Sequence, residues 1–347
     1  MAYVTLLDIS HRLDPDGSLS DMAEMLSQAN EPIEDMPMVE ANGPTSHTVT
    51  LRTALPKGAY IQYYQGAPFT KSLGAQVVFG MSRMRAYSRI DKALAELGGD
   101  PRAVRAQEDD AHMEGLSQQQ CGTLFYGNAN TSPAQFSGLS AFYATAALAN
   151  AQNAVNVFDC GGTGSSNASL WVLGMGEQTV HGIYPKGVKA GLLFEDRGDI
   201  VPGLDSTGAQ FEAFTTLFEW TYGLVVRDWR YAIRLCNIDT TTAGLLGPTP
   251  PDLFAILARA VYRLPAAARS ISGVNQIGSS PMSKKAPGIR LKMYMGRTLR
   301  AALDIQAIRD KNVLLSPTDY AGQPVLNFRN IPLGTCDQLL STEARVI

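Results

Sequence analysis

The stretch FEAFTTLFEWTYGLVVRDWRYAIRLCNID, Phe211–Asp239, constrains the chain most. It is a long run of aromatic, β-branched and aliphatic residues and reads as long strands. In its second half Trp229, Tyr231, Ile233 and Leu235 alternate with Asp228, Arg230, Arg234 and Cys236. A period of two with one apolar side predicts a half-buried strand. Its polar side would place Arg230 and Arg234 opposite partners on another strand or another subunit. A chain with such a strand must supply a large sheet and something to cover it.

Composition allows this. The 347 residues are 45% hydrophobic, enough for one large core or two domains. Charged residues make up 18%, below the roughly 25% of an average soluble protein. A charge-poor surface suits large areas covered by other subunits. The net charge is −3 and the Lys and Arg residues are dispersed, so no basic block is built to grip nucleic acid. Cys121, Cys160, Cys236 and Cys336 form no CxxC pair, and a disulfide framework is not expected. The first residues lack the charge and apolar run of a signal peptide, and no run of 18 apolar residues predicts a membrane helix.

Along the chain, residues 1–46 hold few apolar residues. SDMAEMLSQAN predicts a short helix capped by Ser20 or Asp21, and Pro32, Pro37 and Pro44 are expected to stop further helix. This segment should lie as an arm on another surface, and removing residues 1–40 should leave a folded subunit. From His47 to Arg89 two strand-like runs flank the connector PKGAYIQYYQGAPF, a long hairpin with little of its own to bury. Ile90–Leu97 predicts a short helix. Asp100 as N-cap with Pro101 at the first position then opens a long helix to about Phe125. Two more helices are predicted within PDLFAILARAVYRLP and RTLRAALDIQAIRDK.

The motifs that could carry chemistry fail on inspection. CGGTGSS (Cys160–Ser166) lacks the GK[ST] ending of a phosphate loop, Asn167 stands where GxGxxG needs its last glycine, and a strand follows rather than a helix. EDDAHMEG (Glu108–Gly115) has helical acid–histidine spacing but no second copy to complete a metal site, so it reads as a solvated helix face. GLSAF (Gly138–Phe142) misses the final glycine of a nucleophile elbow. No catalytic, cofactor or metal residue is assigned, and no enzyme is expected. Arm, hairpin and central helix together are what an interlocking shell subunit needs.

Three blocks strengthen that reading: LFYGNANTSPAQFSGLSAFY (Leu124–Tyr143), WVLGMGEQTVHGIYPKG (Trp171–Gly187) and YGLVVRDWRYAIRLCNID (Tyr222–Asp239). In order and spacing they resemble major capsid proteins of short-tailed bacteriophages, the epsilon-15-like podovirus family. The resemblance runs from about His47 onward. It implies an α+β Hong Kong 97-like capsid fold. Residues 1–46 would be the N-terminal arm, 47–89 the extended loop, 90–249 the peripheral domain with its spine helix at 101–125, and 250–347 the axial domain. That order is rearranged relative to most members, since MYMGRTLRAALDIQ and PVLNFRNIPLGTCDQLL look axial yet follow YAIRLCNID.

The same resemblance implies the function. The chain would assemble with itself into pentamers and hexamers of an icosahedral head around double-stranded DNA. Portal and scaffold or cement proteins would be further partners, with no membrane, and the virion, assembled in the host cytoplasm, would be its location. Contact candidates between subunits are Lys57, Tyr60, Tyr63, Tyr64 and Lys71 in the extended loop, with Arg230 and Arg234. The two lysines lie where a Lys–Asn crosslink forms in the prototype, but no partner Asn or assisting Glu can be assigned. The rival readings are an encapsulin-like compartment shell and an enzyme using the loop at 160–166.

Overall fold

In a computed structural model, the described residues are 28–97, 100–197, 201–204, 210–241, 244–245, 251–265, 289–309, 315–320, 323–329 and 331–347. The helix expected at SDMAEMLSQAN falls mainly outside them, and residues 28–30 are not helical. Helix α1 (Glu31–Asp35) follows, with Pro32 in its first turn, where a missing amide hydrogen costs nothing. Pro32 therefore starts a helix rather than stopping one.

Strand β1 (Met38–Glu40) precedes the hairpin of β2 (Ser46–Ala54) and β3 (Leu73–Gly80). The long second run divides at Met81, and β4 (Ser82–Asp91) leaves the hairpin. Short α2 (Lys92–Leu97) leads to the spine helix α3 (Pro101–Tyr126). Its cap is as the sequence predicts: the Asp100 carboxylate accepts from the Arg102 amide at 3.0 Å. At about 1.5 Å per residue the helix is about 39 Å long. It ends at Gly127, where the chain doubles back so tightly that the Gly138 amide donates to the Gly127 carbonyl at 2.7 Å. A Cβ on Gly127 would lie 2.5 Å from the Phe136 carbonyl oxygen.

After the one-turn α4 (Leu139–Phe142) come β5 (Val157–Asp159), β6 (Asn167–Met175), β7 (Val180–Tyr184), β8 (Leu193–Asp196), β9 (Val201–Leu204), β10 (Gln210–Val226) and β11 (Ala232–Asp239). Helix α5 (Leu253–Arg263), β12 (Arg290–Met295), α6 (Arg297–Arg309), β13 (Leu315–Tyr320), β14 (Gln323–Phe328) and β15 (Ile331–Thr335) complete the order.

Strand β10 is the beam of one half. It pairs antiparallel with β4 from Ala213–Asp91 to Tyr222–Ser82, with β8 and β9 along its other edge, and with β7 through its last four residues. The spine helix lies along it. Arg105 reaches Asp196 at 2.6 Å and sits over the Phe214 ring, and His112 stacks on Phe218. Asp109, expected on a solvated face, is buried and accepts from the Thr216 hydroxyl at 3.2 Å. The helix face it occupies is the one the sheet covers.

Strand β6 is the centre of the other half, with β11 on one side and β12 on the other. Both faces of this sheet are buried. Ala168, Leu170 and Val172 of β6, with Ile233, Leu235 and Met293, pack beneath α5 and α6 through Leu257, Val261 and Leu303. Trp171, Leu173, Ala232, Cys236 and Tyr294 face the end of the spine helix at Leu124 and Phe125. Two expectations are thereby corrected. β11 is not half-buried, because its alternate residues enter two cores instead of one core and solvent; moreover Trp229–Tyr231 form a 3-10 turn ahead of it. The division at 249/250 separates no sheets, because β12 is hydrogen-bonded to β6 from Arg290–Met175 to Tyr294–Trp171.

The segment 28–46 is likewise no free arm. β1 runs parallel to β7. Lys292 binds Glu31 at 2.7 Å and Asp35 at 2.6 Å, Tyr294 donates to Asp35, and the Thr335 amide donates to Glu31. Deleting residues 1–40 would strip a strand and these contacts from the subunit's own sheet. Asp35→Ala should lower unfolding stability by about 1–3 kcal/mol, since it removes the carboxylate acceptor of the buried Tyr294 hydroxyl and one of the two carboxylates that hold Lys292; urea unfolding measures it.

Candidate assembly interface

The hairpin divides sharply along its length. At its root Val49 and Phe79 are buried against Ile183 and Val225 of β7 and β10. The Asn42 side chain brackets Thr48, accepting from its amide and donating to its carbonyl. Beyond Ala54 the body gives no cover, and every residue from Leu55 to Gln76 is exposed. Tyr60, Tyr63, Tyr64 and Phe69 are essentially wholly exposed, at 98–109%. Tyr64 has φ +68, a left-handed turn residue between the hydrogen-bonded Gln62 and Gln65. Lys57 and Lys71 stand on this same bare segment. The structure thus gathers the five extended-loop candidates onto one projecting arm. Four aromatic rings on one loop thus stand in water, a large exposed apolar patch.

The two arginines part company. Arg230 is exposed and held by Asp228 of its own turn at 2.7 Å. Arg234 is 4% exposed, and its predicted place on a subunit contact is corrected. Its guanidinium binds Glu343 at 2.8 Å, donates to the Tyr143 carbonyl at 2.9 Å and to the Ser169 hydroxyl at 3.1 Å, and lies over the Trp171 ring. Glu343 also accepts from Ser169 and from the Tyr126 hydroxyl. Burial, then the charge and hydrogen bond of Glu343, push the Tyr126 phenol well above its ordinary range. Asn237, at φ +57 in the bulge of β11, receives the Val346 amide and donates to its carbonyl, both at 2.8 Å. Glu343, Ser169 and Tyr126 carry no motif; their convergence is set by distant parts of the chain.

The Gly-rich loop is bonded to its own chain. Asp159 accepts from the Gly161 amide, Gly162 donates to the Asn237 carbonyl, and a Cβ on Gly162 would lie 2.6 Å from that oxygen. Gly162 lets the loop lie against β11. Among the described residues no cluster of potential metal ligands occurs, and no helix is long and apolar enough to cross a membrane.

Two histidines meet at the hairpin root. His181 is buried edge-on to His47, their ring centres 6.1 Å apart. Burial, then His47 and Arg227, depress the His181 pKa to about 4; burial and Arg227 lower that of His47 as well.

A projecting aromatic hairpin on a body of one 13-stranded sheet spanned by a long helix defines a shell-building subunit. A family model described as major capsid protein GP7 matches residues 14–347. A chain of the bacteriophage Epsilon15 structure is 30% identical, with a TM-score of 0.68 over 100% of this chain and 98% of that one. Weaker likenesses, each at 9% identity, are the SrpI encapsulin complex of Synechococcus elongatus (TM-score 0.45; 69% of this chain, 97% of that) and the capsid of an empty GTA particle (0.43; 68% and 99%). No curated protein matches. The chain belongs to the major capsid protein GP7 family: it is a tailed-phage major capsid protein with the α+β Hong Kong 97-like fold.

Arg234→Met should destabilise the subunit by about 3–5 kcal/mol, because Glu343 is left charged and buried; denaturant unfolding tests it. His181 binds its proton less readily folded than unfolded. Its stabilising contribution is therefore complete above about pH 6.5 and is lost as pH falls toward 4, by up to about 3 kcal/mol. Unfolding of His181→Gln should lack that part of the pH dependence.

Proposed function

We propose that this capsid protein closes into an icosahedral head of pentamers and hexamers around double-stranded DNA, and that the exposed segment Leu55–Ser72 is the element that grips an adjacent subunit. The observation that carries this reading is the exposure of Tyr60, Tyr63, Tyr64 and Phe69 on a hairpin secured only at its root. Covering one such ring contributes about 2–3 kcal/mol, so the loop alone can bias every subunit toward its neighbour. Rings of five and six follow from one heterologous interface closing by rotation. Lys57, Lys71 and Arg230 extend the same contacts on the polar side. The doubly covered sheet around β6, with α5 and α6, suits the part nearest the ring axis. That axial part draws on β6 and β11 as well as on residues after 250.

The role is structural, without catalysis. At the loop 160–166 the Gly162 amide is taken by the Asn237 carbonyl of β11, which argues against the enzyme reading. Portal and scaffold or cement proteins are the remaining partners, and the head is assembled in the host cytoplasm before it becomes part of the virion.

Negative-stain electron microscopy with sedimentation of the protein, co-expressed with its neighbouring virion genes, tests the reading. Uniform shells, or rings of five and six, are expected. A subunit that stays small under those conditions would overturn it. Tyr63→Ser combined with Tyr64→Ser and Phe69→Ser should leave thermal unfolding of the subunit within about 1 °C of the parent. The same variant should reduce shell yield at least tenfold.

A further inference from the structure

Four cysteines scattered through the sequence give no pattern, yet the fold brings two of them into contact. Cys121 lies in the last turns of α3, and Cys336 directly follows β15. Both are 0% exposed, and their sulfurs are 3.4 Å apart across 215 positions of sequence. They sit in the core that joins the spine helix to the sheet, among Leu124, Tyr222 and Tyr294. Cys336 is fixed by its own amide, which donates to the Met295 carbonyl at 3.0 Å. Next to it Asn30 forms a bridge with the same residue, and the Asp337 amide donates to Ala29. Helix end, sheet and N-terminal segment therefore meet at this one pair.

We propose that Cys121 and Cys336 are a modification site: oxidation by a small-molecule disulfide joins them and locks the end of the spine helix to the sheet. The sulfurs need to close by about 1.4 Å to reach bonding distance, within the range of small side-chain rotations. A hydrogen bond from Cys121, helped by the amides of Gln338 and Leu339, holds the Cys336 thiol below its ordinary pKa and makes it the first nucleophile. When local opening of the segment after β15 exposes it, its thiolate attacks one sulfur of the small disulfide and expels a small thiolate. Cys121 then loses its proton and attacks Cys336 sulfur in the mixed disulfide, expelling the second small thiolate. Two protein thiols are oxidised by two electrons to one disulfide, and the reagent is reduced to two thiols that carry both protons. A reducing cell keeps the pair open, and an oxidising exterior closes it. Closure ties a loop of more than two hundred residues, which restricts the unfolded chain strongly.

The full-length protein is incubated with oxidised glutathione, then unfolded, alkylated and digested without reductant for mass spectrometry. The expected product is one peptide pair joined through Cys121 and Cys336, two hydrogens lighter than the separate thiols, with Cys160 and Cys236 alkylated. The oxidised protein should unfold at a midpoint higher by roughly 5–10 °C. Dithiothreitol should abolish that rise. Cys336→Ser should lack both the link and the rise, and Cys160→Ser should keep both. If Cys336→Ser does not fold, Cys121→Ala serves in its place. Four alkylated cysteines after oxidation, a link through Cys160 or Cys236, or no rise in the linked wild type would each overturn the proposal.

Discussion

The buried ion pair of Arg234 and Glu343 is the constraint on which the body of the subunit depends. A guanidinium taken from water is tolerated only if its donors are met, and here a carboxylate, a carbonyl, a hydroxyl and the face of an indole meet it. The partners come from three separate parts of the chain. Glu343 is from the last residues of the chain, Tyr143 follows α4, and Ser169 and Trp171 lie on β6. Tyr126, at the end of the spine helix, closes the set through Glu343. None of these elements can shift without leaving a charge unpaired in the interior, so the network fixes the helix, the sheet and the C-terminal segment in one arrangement.

That rigidity explains the contrast with the hairpin. The body buries polar groups against one another, as it does Asp109 against Thr216. The hairpin tip buries none of its side chains and presents four aromatic rings to solvent. A shell subunit needs both properties: a body that holds its shape under load, and an extension whose free energy is released only against a neighbour. At the junction of the two, the His47–His181 contact holds the hairpin's root to β7 and the Asn42 bracket holds it to the segment after β1.

The glycines of CGGTGSS show how one local pattern can serve different ends. In a phosphate loop they free backbone amides for a ligand. Here Gly162 gives its amide to Asn237, and the space a side chain would fill is taken by the neighbouring strand. Asn237 in turn holds Val346, so the loop serves the same clamp on the C-terminal segment.

Local signals in the sequence determined the elements that depend on local physics. Asp100–Pro101 set the start of the spine helix, alternation marked the hairpin strands, and the turn-rich connector between them became the bare tip. The three capsid-like blocks placed the chain in its family. What only the tertiary structure decided was which faces are covered. Alternation in β11 looks the same whether the second face meets water or another core, and only the packing of α5 and α6 opposite the spine helix settles it. For that reason Arg234 reads as a surface charge in sequence and is a buried one in the fold. Glu31 and Asp35 read as part of a loose arm because Lys292, their partner, lies more than 250 residues away. The meeting of Cys121 with Cys336 is of the same kind: long-range contacts are set by the closing of the whole sheet, and no short stretch of sequence encodes them.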